Sequence, residues 1–204
     1  MSPAQALARC YAHIKRELLF GEFGPGRRLE ATRIADQLGV SITPVRDVLN
    51  RLVGEDLVIA KSGDGFHVPW LTQDELHDLY LWNGFVSDLA VRAPSQRSAP
   101  SPPSSDSYAA RAASFFAGLS VGSRPIEWAM RRNNEWLSRA RAVEPDVMDG
   151  IDEELNELLA MLEQNDQRNL IAVLRRYHRR RERAADLVIR AMRRRYREED
   201  PAPL

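Results

Sequence analysis

The chain has 204 residues, 44% hydrophobic and 28% charged, enough to close one or two small cores and too few for a large multidomain enzyme. Its 29 Lys and Arg balance 29 Asp and Glu, so the overall charge announces neither a nucleic-acid partner nor an acidic substrate, and any such signal has to be local. One cysteine, Cys10, excludes an internal disulfide and a cysteine zinc cluster and fits a reducing compartment.

At the N-terminus, Arg9, Lys15, Arg16 and Glu17 interrupt the stretch where a cleavable apolar segment would lie. No apolar run reaches the roughly twenty residues of a membrane span. A cytoplasmic location without a membrane partner is expected. Cys10 falls in helix-like sequence and reads as a small buried apolar residue. From Ala31 to Leu52 the spacing of Ile34, Ala35, Leu38, Gly39, Val40, Val45 and Val48 predicts two helices crossed by a tight turn. Ala35 is small at the crossing, Gly39 takes the turn's positive φ, and the valines fill the wedge. Ser41 or Thr43 caps the second helix, and Pro44 is tolerated in its first turn. Residues 57–61 and 66–69, either side of Ser62–Gly65, predict a β-hairpin. Helix-turn-helix plus hairpin is a winged helix.

A break near Pro69 follows, and Thr72 with Glu75 predicts a capping box opening a new helix. The chain therefore reads as one unit over 1–70 and another over 71–204, with a flexible Ser/Pro-rich loop at 94–107. The second unit shows four helical stripes. They are Leu76, Leu79, Tyr80, Val86, Leu89, Ala90; Ile126, Ala129, Met130, Leu137, Ala140; Ile151, Leu155, Leu158, Leu159, Leu162; and Leu170, Val173, Leu174, Tyr177, Ala184, Leu187, Val188, Ala191. The segment 144–166 holds nine acidic residues and no basic one, and 168–197 holds twelve Arg, so an antiparallel hairpin of these helices would pair opposite charges. The expected fold class is mainly α, three helices and a hairpin followed by an all-α bundle.

Double-stranded DNA is the expected partner. At the start of the second crossed helix, Ser41, Ile42, Thr43, Val45 and Arg46 are the residues a major groove can touch. Arg46 is suited to fork onto guanine O6 and N7 or onto a phosphate, with Glu55 as an alternative surface partner. Ser41 and Thr43 can donate to phosphates. At the hairpin tip, Gly63 and Gly65 allow close approach to the backbone or minor groove, with His67 beside them. Residues 1–70 carry nine basic against eight acidic residues, so non-specific affinity is modest and a dimer engaging two half-sites is expected.

These residues resemble a known family. The Gly-x-x-x-Pro-Gly turn of Gly21 to Gly26, the Leu-Gly-Val-Ser-x-x-Pro-Val-Arg core of 38–46 and the hairpin behind it are similar to the N-terminal signature of the GntR family of bacterial transcription regulators. The resemblance implies DNA contacts at Thr32 or Arg33, Ser41, Thr43, Arg46 and Gly65, a homodimer, an inverted-repeat operator and repression by promoter occlusion. The family usually has Arg directly after the Val-Ser pair, where this chain has Ile42, which implies a different or less discriminating base readout.

More faintly, the C-terminal half resembles the all-helical effector domain of the fatty-acid-regulator subgroup, the FCD domain. That implies a dimer, an allosteric ligand and often a metal held by one Asp and three His. The corresponding places fall on Asn133, Leu137 and Leu155, leaving His178 alone, so no metal and no cofactor is expected. Asn133 and His178 are the candidate ligand-binding residues for a small-molecule effector, each with a plain interior role as its alternative. A second reading makes this half a partner-protein or assembly module.

Asp74, His77 and Asp78 read as helix N-terminal acids and their neighbour rather than a metal site. The Arg triplets 179–181 and 193–195 read as charge-paired or solvated faces rather than a nucleic-acid surface, and Trp82, Trp128 and Trp136 as core or interface anchors. Four His at 13, 67, 77 and 178, with no phosphate loop and no nucleophile constellation, argue against an enzyme.

Overall fold

The computed structural model of the chain describes residues 3–20, 23–93, 106–164 and 166–199. Gly21, and residues 94–105 of the Ser/Pro-rich loop, lie outside them. The chain divides into two compact units, Met1–Leu71 with Arg195–Leu204, and Thr72–Arg194.

The first unit opens with α1 (Pro3–Phe20), whose Cys10, Ile14 and Leu18 recur every four residues and are fully buried. It packs on α3 (Ile42–Gly54), which buries Val45, Val48, Leu49 and Leu52. Between them lies α2 (Ala31–Leu38), which buries Ile34 and Ala35 and stops at Gly39, held at φ 63. There the Val40 N–H reaches back to Ala35 O at 3.1 Å, closing the turn of the helix-turn-helix. The expected hairpin forms from β2 (Ile59–Lys61) and β3 (Gly65–His67), paired Ile59 to His67 and Lys61 to Gly65.

A third strand, β1 (Arg28–Leu29), pairs with the free edge of β3, giving the order β1-β3-β2. Two residues carry no readable period, so the sequence offers no sign of it. Gly26 precedes β1 at φ +85, where a Cβ would collide with the Trp70 indole nitrogen. Tyr196, near the end of the last helix, is also part of this unit, and a Cβ on Gly24 would stand 2.6 Å from its Cδ1.

The second unit begins at α4 (Gln73–Arg92), opened by the expected capping box. Thr72 Oγ1 accepts from Glu75 N at 3.2 Å, and Glu75 Oε2 accepts from Thr72 N at 2.8 Å. Helices α5 (Tyr108–Leu119), α6 (Arg124–Val143), α7 (Ile151–Glu163) and α8 (Gln167–Glu199) follow, with a 3-10 turn over Glu144–Asp146. Ser107 caps α5 through Ala110 N. Helices α4 and α5 both pack on α6 around a core that includes Val86, Phe115, Phe116, Met130, Leu155 and Leu174.

The acidic and basic helices meet as expected, with Arg176 on Glu157, Arg180 on Glu154 at 3.6 Å and Arg181 on Glu154 at 2.7 Å. Two members of the predicted stripes are not core: Leu89 and Leu187 are exposed, because each lies at the solvent edge of a stripe. Trp82 and Trp128 are likewise exposed rather than core anchors, while Trp136 is half-buried.

Candidate nucleic-acid interface

Four pieces of the first unit meet around one open groove of about 520 Å³. Arg28, Leu29 and Glu30 come from β1 and the residue after it, Ala31 and Thr32 from the start of α2, Ile42 and Arg46 from the first turns of α3, and Gly65 and Phe66 from the hairpin. The turn at Gly39 brings the starts of α2 and α3 together, and β1 ties the hairpin beside them.

Among the described residues Arg46 has no hydrogen-bond or ion-pair partner and is exposed. The alternative partner, Glu55, is taken by Lys15 at 2.8 Å, Arg51 at 3.1 Å and the Tyr11 hydroxyl at 2.9 Å. Burial pushes the Glu55 carboxyl up, but the hydrogen bonds from Lys15 and Tyr11 outweigh it and hold the group below its usual range. The Arg46 guanidinium is thus left available to an external acceptor.

Ser41 is the N-cap of α3, in extended backbone, yet its side chain makes no capping bond, so its hydroxyl stays available. Thr43 lies one residue inside the helix, exposed, and is not the cap. Thr32 and Arg33 are exposed in the first turn of α2. Gly65 lies at φ +83 at the base of the hairpin turn, where the nearest atom to a would-be Cβ is Arg28 Nε at 4.0 Å. The groove therefore gathers Thr32, Arg46 and Gly65, while Arg33, Ser41 and Thr43 stand exposed outside its lining.

His67 does not fit its expected role. It is buried, with Nε2 3.0 Å from Asp64 Oδ2 and 3.2 Å from Asp64 O, and Nδ1 3.5 Å from Gly26 O. Side chains alternate faces along a strand, and this one falls on the inner face, where it braces the turn. Arg28 is the groove residue that sequence reasoning missed. It is exposed, and Asp64 Oδ1 lies 4.0 Å away. No signal marked it, because its strand is two residues long.

The second candidate site is a buried polar chain. Asn133 Nδ2 donates to Leu79 O at 3.0 Å, Asn133 Oδ1 accepts from Asn83 Nδ2 at 2.6 Å, and Asn83 Oδ1 faces His178 Nε2 at 2.8 Å. His178 Nδ1 faces Leu174 O at 2.7 Å. The fold thus does bring Asn133 and His178 together, through Asn83. Each end of this chain is a carbonyl, so a ring carrying both protons satisfies every link. Burial, followed by the nearby charges of Arg181 and Arg141, instead holds the His178 pKa down at about 3 from 6.5. Gly84 lets the ring approach α4, since a Cβ there would lie 3.3 Å from His178 Cγ. The ring forms one wall of a cleft of about 240 Å³ between α4 and α8, with Leu81, Phe85, Ile171 and Leu174.

Beside this chain lie charges whose burial sequence reasoning missed. Arg181, fully buried, donates to Glu144 Oε2 at 2.9 Å, to Glu154 Oε2 at 2.7 Å and to the Tyr108 hydroxyl at 2.6 Å, and stacks 3.4 Å from the Tyr177 ring centroid. Tyr80 donates to the other Glu144 oxygen at 2.8 Å, and burial together with that carboxylate pushes its hydroxyl pKa well up. Arg141 is also buried, bonded through Nη1 to Asn134 Oδ1 at 2.7 Å, and its Nε has no partner among the described residues. The available signal was a polar residue in core register, Asn83 three residues after Tyr80 on the α4 stripe. Positions 137 and 155 hold fully buried leucines, and no three His, Cys, Asp or Glu among the described residues are grouped to hold a metal. No described helix is long and apolar enough to cross a membrane.

Residues 7–68 match the family described as bacterial regulatory proteins, gntR family. The Nta operon transcriptional regulator of Aminobacter aminovorans is 40% identical over 75 residues, which is 37% of this chain and 36% of that protein. The HTH-type transcriptional regulator McbR of Escherichia coli is 38% identical over 66 residues, 32% of this chain and 30% of McbR. The matched part therefore spans about a third of these relatives' length. In three dimensions a Rhodococcus sp. RHA1 structure titled as a GntR transcriptional regulator aligns with TM-score 0.72 at 19% identity, over 88% of this chain and 96% of that one. Escherichia coli McbR/YncC aligns with TM-score 0.61 at 18% identity, over 92% and 99%. At these identities the likeness is one of fold, a winged helix-turn-helix followed by a helical domain.

Proposed function

We propose that this chain is a sequence-specific DNA-binding transcriptional regulator that engages an inverted-repeat operator as a homodimer and represses by occluding a promoter. One observation carries the reading: Arg46, free of partners within the described fold, opens onto the same groove as Thr32, Arg28 and Gly65. A helix start beside a glycine-tipped hairpin suits a major groove with the wing on the adjacent backbone. Arg46 reads base edges, Ser41, Thr43, Thr32 and Arg33 hold phosphates, and Gly65 lets the wing come close. Glu30 on the groove lining opposes indiscriminate phosphate binding.

The deciding experiment titrates the full chain against the region upstream of its own gene and a genomic fragment library at several salt concentrations. Selective binding should weaken with log salt at a slope of about −0.9 per phosphate neutralised. The absence of any retained fragment would end the proposal.

For the second unit, a small effector in the α4–α8 cleft against His178 would act by favouring one arrangement of the dimer over another, for which about 1–3 kcal/mol suffices. A second reading, an assembly module with no small-molecule or metal site, is favoured by the way Asn133 and His178 are bonded inside the bundle, while Trp82, Phe85 and Leu89 stand exposed on α4. Thermal stability separates the two: a sensor shifts with a metabolite, a scaffold only with a partner protein.

A further inference from the structure

We infer that Ile42 is a base-reading residue whose target is the 5-methyl group of a thymine in the major groove, one or two base pairs from the base that Arg46 reads. The inference rests on the DNA-binding reading above and deepens it.

Ile42 is the first residue of α3 and is only partly covered, unlike the four core residues Val45, Val48, Leu49 and Leu52 on the same helix. It lines the open groove together with Arg46. The two are four residues apart, which places them on one helix face about 6 Å apart along the axis. Two base steps at about 3.4 Å each cover nearly the same distance.

A branched alkyl side chain offers neither donor nor acceptor. Of the four bases, only thymine presents a methyl group in the major groove; the polar edges of guanine, cytosine and adenine would lose water against Ile42 and gain no partner. Of the other aliphatic residues on this groove, Leu29 is buried and Ala31 carries only a methyl group, so Ile42 is the larger aliphatic side chain left partly exposed there. The start of α3 thus couples a charged fork to an apolar probe, and the pair specifies a thymine at a fixed offset from a guanine.

The test selects duplexes from a randomised library with the full-length chain, then replaces each thymine of the selected site in turn by deoxyuridine, which removes only the methyl group. The expected result is one thymine per half-site whose loss of methyl weakens binding about fourfold, the worth of one buried carbon. In Ile42→Ala the same replacement should change nothing, and Ile42→Val should keep most of the effect. Wild type that is indifferent to deoxyuridine at every position overturns the inference without needing any variant to fold, as does an Ile42→Ala protein with undiminished methyl sensitivity. A library from which no sequence is enriched instead brings down the DNA-binding reading, and this inference with it.

Discussion

Acidification should weaken the second unit through one residue. His178 is held in the fold at a pKa of about 3, against 6.5 for the exposed ring. Between these values the unfolded chain binds a proton that the folded chain refuses. Stability is therefore complete above pH 6.5 and falls as the pH drops toward 3. Each pH unit inside that window is worth about 1.4 kcal/mol, so moving from pH 7.5 to 5.0 should remove about 2 kcal/mol. Urea unfolding of the full chain at the two values, followed by far-ultraviolet circular dichroism, measures this directly. His178→Phe keeps a ring against Phe116 and Tyr177 but cannot titrate, so its pH dependence over the same interval should be flatter by that amount. Glu55 and Asp88 both have lowered pKa values and titrate below the interval, so they cancel in the comparison. Equal slopes for wild type and His178→Phe would refute the argument and mean that the Leu174 and Asn83 carbonyls hold the proton on the ring despite its burial.

Three substitutions probe the other parts. Arg46→Ala should cost about 5- to 150-fold in preference for the selected operator over a scrambled duplex, with circular dichroism unchanged; retained preference in a binding titration would remove Arg46 as a base reader. Glu144→Gln strands part of the Arg181 charge where no water reaches and should cost about 3–5 kcal/mol in urea unfolding, with a loss below about 1 kcal/mol contradicting the burial of that pair. Gly26→Ala meets both a left-handed φ and the Trp70 indole, whereas Gly39→Ala meets only the φ. Gly39→Ala should cost about 1–2 kcal/mol and Gly26→Ala distinctly more, read by thermal unfolding of each variant.

Much of the fold was legible because its sequence signals are local. The crossing of α2 and α3, the stop at Gly39, the capping box at Thr72 and the charge-paired α7 and α8 each follow from a spacing or a charge run. Helix α5 was not legible: it buries Tyr108, Ala109, Ala110, Ala112, Phe115, Phe116 and Leu119 together. A helix covered on most sides has no polar face to alternate against, so the period is lost. Leu89 and Leu187 failed for the converse reason, since a stripe gives direction but not width. In the candidate interface the helical positions were readable, because a helix start exposes consecutive residues. His67 was not, because its burial depends on a strand pairing with Arg28, 39 residues away. The Arg181 and Arg141 clusters were hidden too. Arg181 is one of twelve arginines in 168–197 and Arg141 one of several on α6, and such neighbours look alike until packing selects which of them are desolvated.

The seat of Tyr196 over Gly24 has a temporal side. During synthesis the winged helix leaves the ribosome first, but its covering tyrosine emerges only after the whole of the second unit. Until then the first unit lacks the Tyr196 ring that lies against Gly24. Completion of the first unit is thereby tied to the chain behind it, so a truncated product ending within the helical bundle would lack the Tyr196 contact at Gly24.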